Sequence, residues 1–404
     1  MVLIAASAWG ASLDRALDEI LADPALEGAS VSVLVGTLDD PVYARDPTRR
    51  VVPASTTKLV TATVAARRLG LDRRFETVLA ATGSTTGDVL VGDLVVVGGL
   101  DPSLGDGDPR EAGRRVVEQV RALGIGAIEG DVVVDPSHGP RAPFGRGWMW
   151  DDLADAYSAP VSAANVGHNL AGEGTARCAD RGGPGRPLLD PPSCLGSIVR
   201  EELLASGITV GGTAVRRVPE AVEIARLSSA PLGDLLAHTL EVSDNLYAEC
   251  VWLLVGDGDP ATARARVREL MVEVGASDDA PVDGSGLSRY SHLSADSLVR
   301  VAIAGAELRD RLPVAGRTGT LSGRMVGTPA EGRVVAKTGS MTGVRNLVGH
   351  VRTTDGQELP FAFLIDGLRA PQAEAIALQD RFLATVASAR RTRRGRWRLP
   401  PSDG

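Results

Sequence analysis

Lysine is almost missing from this 404-residue chain: of 43 basic residues, only Lys58 and Lys337 are lysines. A coding bias toward arginine explains the other positions. Such a bias also replaces any lysine that arginine can imitate. The two that persist therefore mark candidate places for a compact ammonium, or for one that must give up its proton, which a guanidinium does not do near neutral pH. Cysteine is scarce as well. Three residues without a Cys-x-x-Cys pair exclude a disulfide scaffold. The five histidines (His138, His168, His238, His292 and His350) lie far apart, so no metal-ligand spacing emerges, which argues against a zinc hydrolase. No metal or other cofactor is expected. No run reaches the roughly 18 apolar residues of a membrane-spanning helix. A net charge of −8 excludes a general electrostatic grip on nucleic acid, which needs a basic face. What is present, 44% hydrophobic and 23% charged residues, is the balance of a folded chain with mass for two or three domains.

Residues 2–9 (VLIAASAW) form a short apolar run before Gly10-Ala11-Ser12. The run reads either as the end of a secretory signal without its basic start or as an ordinary buried segment; the first reading makes 1–12 a signal remnant and the protein exported. Leu13, Ala16, Leu17, Ile20 and Leu21 share a helical face, Val31 to Val35 alternates as a strand, and Ser55 to Leu69 reads as a helix. From about Phe75 to His238 the texture changes to short strands, glycines and acidic loops. Within it, 171–196 reads as loop and holds Cys178 and Cys194, either disulfide-bonded or free. Helical pattern returns over 232–241, 246–255 and 261–274. Arg333 to Lys337, Asn346 to Arg352 and Leu359 to Ile365 then read as an antiparallel meander, and a helix over about 371–389 closes the pattern. The expected architecture is an α+β helix–sheet domain built from 13–74 and 241–389, interrupted by an inserted block, 75–240, of smaller strand-rich domains. The tail from 390 to 404 is basic, with six arginines and one tryptophan between Arg390 and Arg398, and reads as a solvated, disordered end.

Three short motifs carry the chemistry. Ser55-Thr56-Thr57-Lys58 sets a hydroxyl and an ammonium three residues apart, on one face of a helix start. A serine needs a base to become a nucleophile, and a desolvated lysine serves when neutral. Ser243-Asp244-Asn245 offers a second hydroxyl and an amide. Lys337-Thr338-Gly339-Ser340, on a strand, offers a cation and two hydroxyls for an anionic group, and Gly339 permits close backbone approach. Each motif alone is weak, an N-cap serine and an exposed lysine being the plain reading of the first. Together, in this order and holding both lysines, they form a known catalytic set. Asp283 and Ser285, in a Gly-rich loop, read equally as turn formers or as part of the site wall. Arg317-Thr318-Gly319 reads as a turn.

The set, together with Val52-Pro53-Ala54-Ser55, Gly92 to Leu104, Trp150 to Asn165, Asp283 to Arg289 and Leu312 to Gly349, resembles the class C penicillin-binding proteins, D-alanyl-D-alanine carboxypeptidases/endopeptidases of peptidase family S13. The resemblance covers about 13–388. It implies a penicillin-binding/β-lactamase-like transpeptidase fold, a Ser55 nucleophile, Lys58 as its base, and Ser243 as proton relay. It also implies that Asn245 holds substrate, that Lys337 supplies positive potential and keeps Lys58 neutral by repulsion, and that Thr338, Gly339 and Ser340 bind the substrate. The implied substrate is a peptidoglycan stem peptide, with β-lactams as covalent inhibitors, action in the periplasmic or extracytoplasmic wall space, and no stable protein partner. Class A β-lactamases share the triple, but Ser55 and Ser243 stand 188 residues apart here, room for whole inserted domains that those enzymes lack. A wall-assembly scaffold that has lost turnover is the non-enzyme alternative, against which the intact triple argues.

Overall fold

The apolar strand Val31 to Val35, near the start of the chain, finds its partner near the end, with Val31 opposite Ile365 and Val35 opposite Phe361. The structure is a computed structural model and describes residues 12–173, 178, 184–393 and 395–400. The signal-remnant reading of 1–12 therefore falls almost wholly outside the described residues. In chain order the first elements are α1 (Leu13–Leu21), β1 (Ser30–Gly36), β2 (Pro41–Arg45) and α2 (Thr57–Leu69). After a long excursion come α5 (Leu232–Glu241), α6 (Asn245–Val255), α7 (Pro260–Glu273), α8 (Ala295–Ala304), β11 (Val334–Met341), β12 (Val344–Arg352), β13 (Glu358–Asp366) and α9 (Gln372–Ser388). Five strands form one antiparallel sheet in the order β11-β12-β13-β1-β2. Its central strands are buried along nearly their whole length because helices cover both faces. On one face α1 and α9 pack Leu17, Phe382 and Val386 against Phe361 and Phe363; on the other, α2 and α5 to α8 build a core around Trp252, Leu59 and Leu236. This is the α+β class expected.

The excursion carries β3 (Glu76–Ala81), β4 (Ser84–Thr86), β5 (Val89–Val91), β6 (Leu94–Val97), α3 (Pro109–Ala122), β7 (Ala127–Ile128), β8 (Val132–Asp135), α4 (Pro191–Ala205), β9 (Thr213–Val215) and β10 (Val222–Ser228). A five-stranded mixed sheet, β10-β3-β6-β8-β9, packs against α3 and α4 through Val116, Leu195 and Val199; β4, β5 and β7 form a small third sheet. The chain leaves and returns at neighbouring points, where Phe75 N donates to Ser229 Oγ and Ser229 N donates to Phe75 O, both at 3.0 Å.

Three sequence readings need correction. Residues 191–196 are not loop but the start of α4, whose Pro191 and Pro192 occupy the first turn, where a missing N–H costs nothing, and whose Asp190 caps Ser193 N. Cys178 and Cys194 form a disulfide that ties residue 178 to this helix. Helix α5, counted with the inserted block, packs Leu232, Leu236 and Leu240 into the core of α2 and α6 instead. The basic tail is not a free end. Arg390–Arg391 pairs with Trp397–Arg398 as a hairpin (β14, β15), and Trp397 and Leu399 rest on the core under α9. Its one aromatic anchors it.

Candidate active site

Ser55 sits in a 3-10 turn, Ala54–Thr56, immediately before α2. The turn is tight: Ala54 has φ +48°, a left-handed value unusual for a residue with a Cβ. Two glycines let neighbouring backbone close on it. A Cβ at Gly286 would lie 2.0 Å from Ala54 O, and one at Gly339 would lie 2.7 Å from Pro53 O. Buried Asn346 on β12 donates to both Val52 O and Pro53 O at 2.9 Å, fixing the turn to the sheet.

One helical turn later, Lys58 is fully buried. Its Nζ donates to Ser55 Oγ (2.9 Å), Asn245 Oδ1 (2.5 Å) and Ser285 O (2.8 Å). Three acceptors match the three N–H bonds of an ammonium. They suit a neutral amine equally well, with the Ser55 hydroxyl then donating to the nitrogen lone pair. Burial pushes Lys58 down to about 8, against the opposing pull of the Asp244, Asp283 and Glu249 carboxylates.

Lys337, also fully buried on β11, donates to Ser243 Oγ and to Thr338 O, each at 2.9 Å. Burial, then the Lys58 charge, holds Lys337 well below its ordinary value. Burial is the foremost cause of both depressions, and the like-charge repulsion between Lys58 and Lys337 acts on the pair. Thr338 Oγ1 donates to Thr320 Oγ1 at 2.9 Å, so the turn after Arg317-Thr318 borders the lysine strand. Ser340 is exposed at the end of this row.

Ser243 has φ +66°, and the next residue, Asp244, caps α6 by accepting from Tyr247 N at 3.0 Å. This places Ser243 Oγ toward Lys337 and Asn245 toward Lys58, so the three motifs meet around one serine. Asn245 Nδ2 donates to Tyr157 O (2.7 Å), a contact from the inserted segment.

Several residues in this arrangement carry no motif of their own. Asp283 is buried and accepts from Ser288 N (2.7 Å), Gly286 N (3.2 Å) and Trp148 Nε1 (3.0 Å), shaping the loop whose Ser285 carbonyl meets Lys58. The contacts support both readings of this loop: Asp283 shapes the turn through Gly286 N and Ser288 N, and the Ser285 carbonyl forms part of the site wall at Lys58. Glu249 on α6 accepts from Gly284 N (3.1 Å) and Ser285 N (2.7 Å); burial and the Asp283 charge raise it to about 7. Burial likewise raises Asp283. The Gly-rich run 283–286 was the available signal for Asp283 and Ser285. Tyr157 and Asn346 lay inside segments that resemble the family but were not singled out, and Glu249 had no signal. Among the described residues there is no His/Cys/Asp/Glu group able to hold a metal ion.

A helix-flanked antiparallel sheet that brings Ser-x-x-Lys, Ser-x-Asn and Lys-Thr-Gly around one hydroxyl defines a penicillin-binding type of serine acyltransferase site. The D-Ala-D-Ala carboxypeptidase 3 (S13) family model matches residues 13–186 and 180–386, and the chain belongs to that family. It is 31% identical to the D-alanyl-D-alanine carboxypeptidase of Actinomadura sp. (strain R39), over 92% of this chain and 84% of that protein. It is 27% identical to the D-alanyl-D-alanine carboxypeptidase DacB of Haemophilus influenzae, over 80% of this chain and 82% of the relative. The crystal structure of penicillin binding protein 4 (dacB) from Haemophilus influenzae shares the fold, with a TM-score of 0.81 at 23% identity, covering 92% of this chain and 99% of that one.

Proposed function

We propose that this chain is a serine-type D-Ala-D-Ala carboxypeptidase that cleaves peptidoglycan stem peptides through a Ser55 acyl-enzyme, with the amide of a peptide cross-link as a second substrate. The observation that carries the reading is the buried Lys58 amine, 2.9 Å from Ser55 Oγ and depressed toward neutrality. Neutral Lys58 takes the Ser55 proton as Oγ attacks the carbonyl of the penultimate D-Ala. The oxyanion develops toward the backbone N–H groups of Ser55 and Ser340. Ser243, hydrogen-bonded to Lys337, relays a proton to the leaving D-Ala amine, and Asn245 holds the substrate amide. Lys337 faces the terminal carboxylate with Thr338 and Ser340, and Gly339 leaves room for the backbone beside it. Arrival of that carboxylate favours the charged form of Lys337. Water then hydrolyses the ester.

A cross-link differs only in its leaving amine, so the same groups serve an endopeptidase step. The stem peptide lies outside the cytoplasmic membrane, and so does the reaction; a disulfide suits that compartment. Among the described residues no helix is long and apolar enough to cross a membrane. The related Haemophilus influenzae penicillin binding protein 4 has been crystallised in complex with a β-lactam. In this chain a β-lactam, whose leaving group stays tethered, should trap Ser55 as a stable ester. Incubation with a labelled penicillin should give one covalent label per chain, mapped to Ser55 and absent in Ser55→Ala. Label that persists in that variant refutes the assignment.

A further inference from the structure

Asp244, the middle residue of Ser243-Asp244-Asn245, sits between two site side chains and faces away from both. Its side chain is 6% exposed. One carboxylate oxygen, Oδ1, accepts from Tyr247 N. The other, Oδ2, lies 3.0 Å from His168 Nε2 and 3.2 Å from His238 Nε2. His238 belongs to α5, in the same half of the molecule as the site. His168 does not: it arrives from the excursion between Phe75 and Ser229, in a left-handed conformation (φ +60°) that a histidine adopts only when its surroundings hold it. Its other nitrogen, Nδ1, faces Asp106 Oδ1 at 3.6 Å, and Asp106 Oδ2 accepts from Tyr247 Oη at 2.7 Å. The Tyr247 ring packs against both imidazoles, at 5.8 Å from His168 and 4.4 Å from His238. With a carboxylate at each ring nitrogen, His168 is suited to the imidazolium form.

We propose that His168 is a positioning residue: reaching from the inserted segment, it pins the Asp244 carboxylate and so fixes Ser243 and Asn245 on either side and balances the charge that Lys58 meets. This rests on the Ser55–Lys58 reading above. The charged and titratable groups that face the cluster are Asp106 beside α3, His238 on α5, Tyr247 on α6 and Lys58 on α2. Burial lowers His168, but the Asp106 and Asp244 carboxylates at its two ring nitrogens outweigh it and raise the group to about 10, so the cation is its favoured form across the neutral range. The two imidazoles hold Asp244 well below the ordinary carboxylate range despite its burial. Asp244 in turn is the foremost charge drawing Lys58 upward. Loss of the His168 cation leaves that carboxylate less compensated, and Lys58 must then hold its proton to higher pH.

The chain's two lysines make the test direct, since protein labelled with 13Cε-lysine shows two lysine signals. In His168→Gln, which keeps an N–H donor but loses the charge, the Lys58 midpoint should rise by on the order of one pH unit, the size of one nearby charge in a partly buried site. In Asp244→Asn, which keeps an N-capping side chain, it should fall. Opposite shifts separate this role from general loosening of the fold, which moves both variants alike. The penicillin acylation rate of His168→Gln at pH 7 should drop by about tenfold and recover above pH 9, following the midpoint. A Lys58 signal that titrates at the same pH in the parent and both variants overturns the proposal, as does an acylation loss equal at every pH. Failure of the parent to acylate would instead strike the catalytic reading, with the titration still legible.

Discussion

The position of Lys58 makes acylation a titration of one buried amine. A base must be neutral to accept the Ser55 proton, and Lys58 loses its own with a midpoint of about 8 rather than near the usual 10.4. The neutral fraction is then roughly 1% at pH 6, about 10% at pH 7, half at pH 8 and about 90% at pH 9. The first-order acylation rate should follow it, rising about tenfold per unit below pH 7 and flattening near pH 9. Saturating penicillin is the right condition, because Lys337 is itself depressed in the free protein. Below saturation, loss of the Lys337 cation would add a descending limb of its own. In the complex the ligand carboxylate holds Lys337 charged, and only the Lys58 limb remains. Stopped-flow measurement with a reporter penicillin between pH 5.5 and 9.5 gives the profile. A rate that is flat across this range, or that falls as pH rises from 6 to 8, refutes the base assignment.

The sign extends to stability. A lysine whose folded value lies below its unfolded one binds fewer protons when folded, so it weakens the fold at neutral pH, and that penalty fades as pH rises from about 8 toward 10.4. Activity and stability should therefore both improve over the first part of that window. The coincidence is expected of a charge buried for its chemistry and not for the strength of the core.

The two lysines should respond differently to arginine. Lys58→Arg keeps the charge but cannot release a proton, and should slow acylation by at least about 100-fold at every pH. Lys337→Arg keeps the potential but crowds Ser243 Oγ, 2.9 Å away, and should slow it by on the order of 10- to 100-fold while leaving the pH limb in place; equal losses in a side-by-side labelling assay would contradict this division. For the inserted segment, we propose that it is a separate folding unit, on the evidence of its own sheets and core and of its paired departure and return at Phe75 and Ser229. Limited proteolysis should then cut first near residue 75 or between 229 and 240 and leave protected fragments, and digestion with none bounded there would count against it.

Much of the site was legible because its chemistry rests on local spacing. Ser55 and Lys58 meet because three residues make nearly one helical turn, and Lys337 to Ser340 stand in a row because a strand holds them there. The meander over Arg333 to Ile365 was legible for the same reason: buried strands read as apolar runs. The helix over 191–205 was missed because two prolines and a serine at its start mimic loop composition, and only the geometry of a first helical turn makes them acceptable. The tail was missed because six arginines outweighed one tryptophan in the composition, whereas in the fold the tryptophan and Leu399 decide.

The residues that escaped have another cause. Asn346, Glu249, Asp106 and His168 act on the site through partners remote in sequence, and no motif singles out any of them, although Asn346 lies in a segment that resembles the family. A buried asparagine that bonds Val52 O and Pro53 O looks, in the chain, like any polar residue in a strand. Lys58 shows why such residues cannot be secondary. Its depressed value comes from burial, and three carboxylates oppose it: Asp244, Asp283 and Glu249. Each of these is tied to other groups, Asp283 and Glu249 to backbone N–H groups of the 283–288 loop and Asp244 to two histidines. Were the carboxylates left uncompensated, their attraction would restore the ammonium and Ser55 would lose its base. The short motifs supply the reacting atoms, but the protonation state that makes them reactive is set by the hydrogen bonds that occupy those carboxylates, and these are properties of the fold.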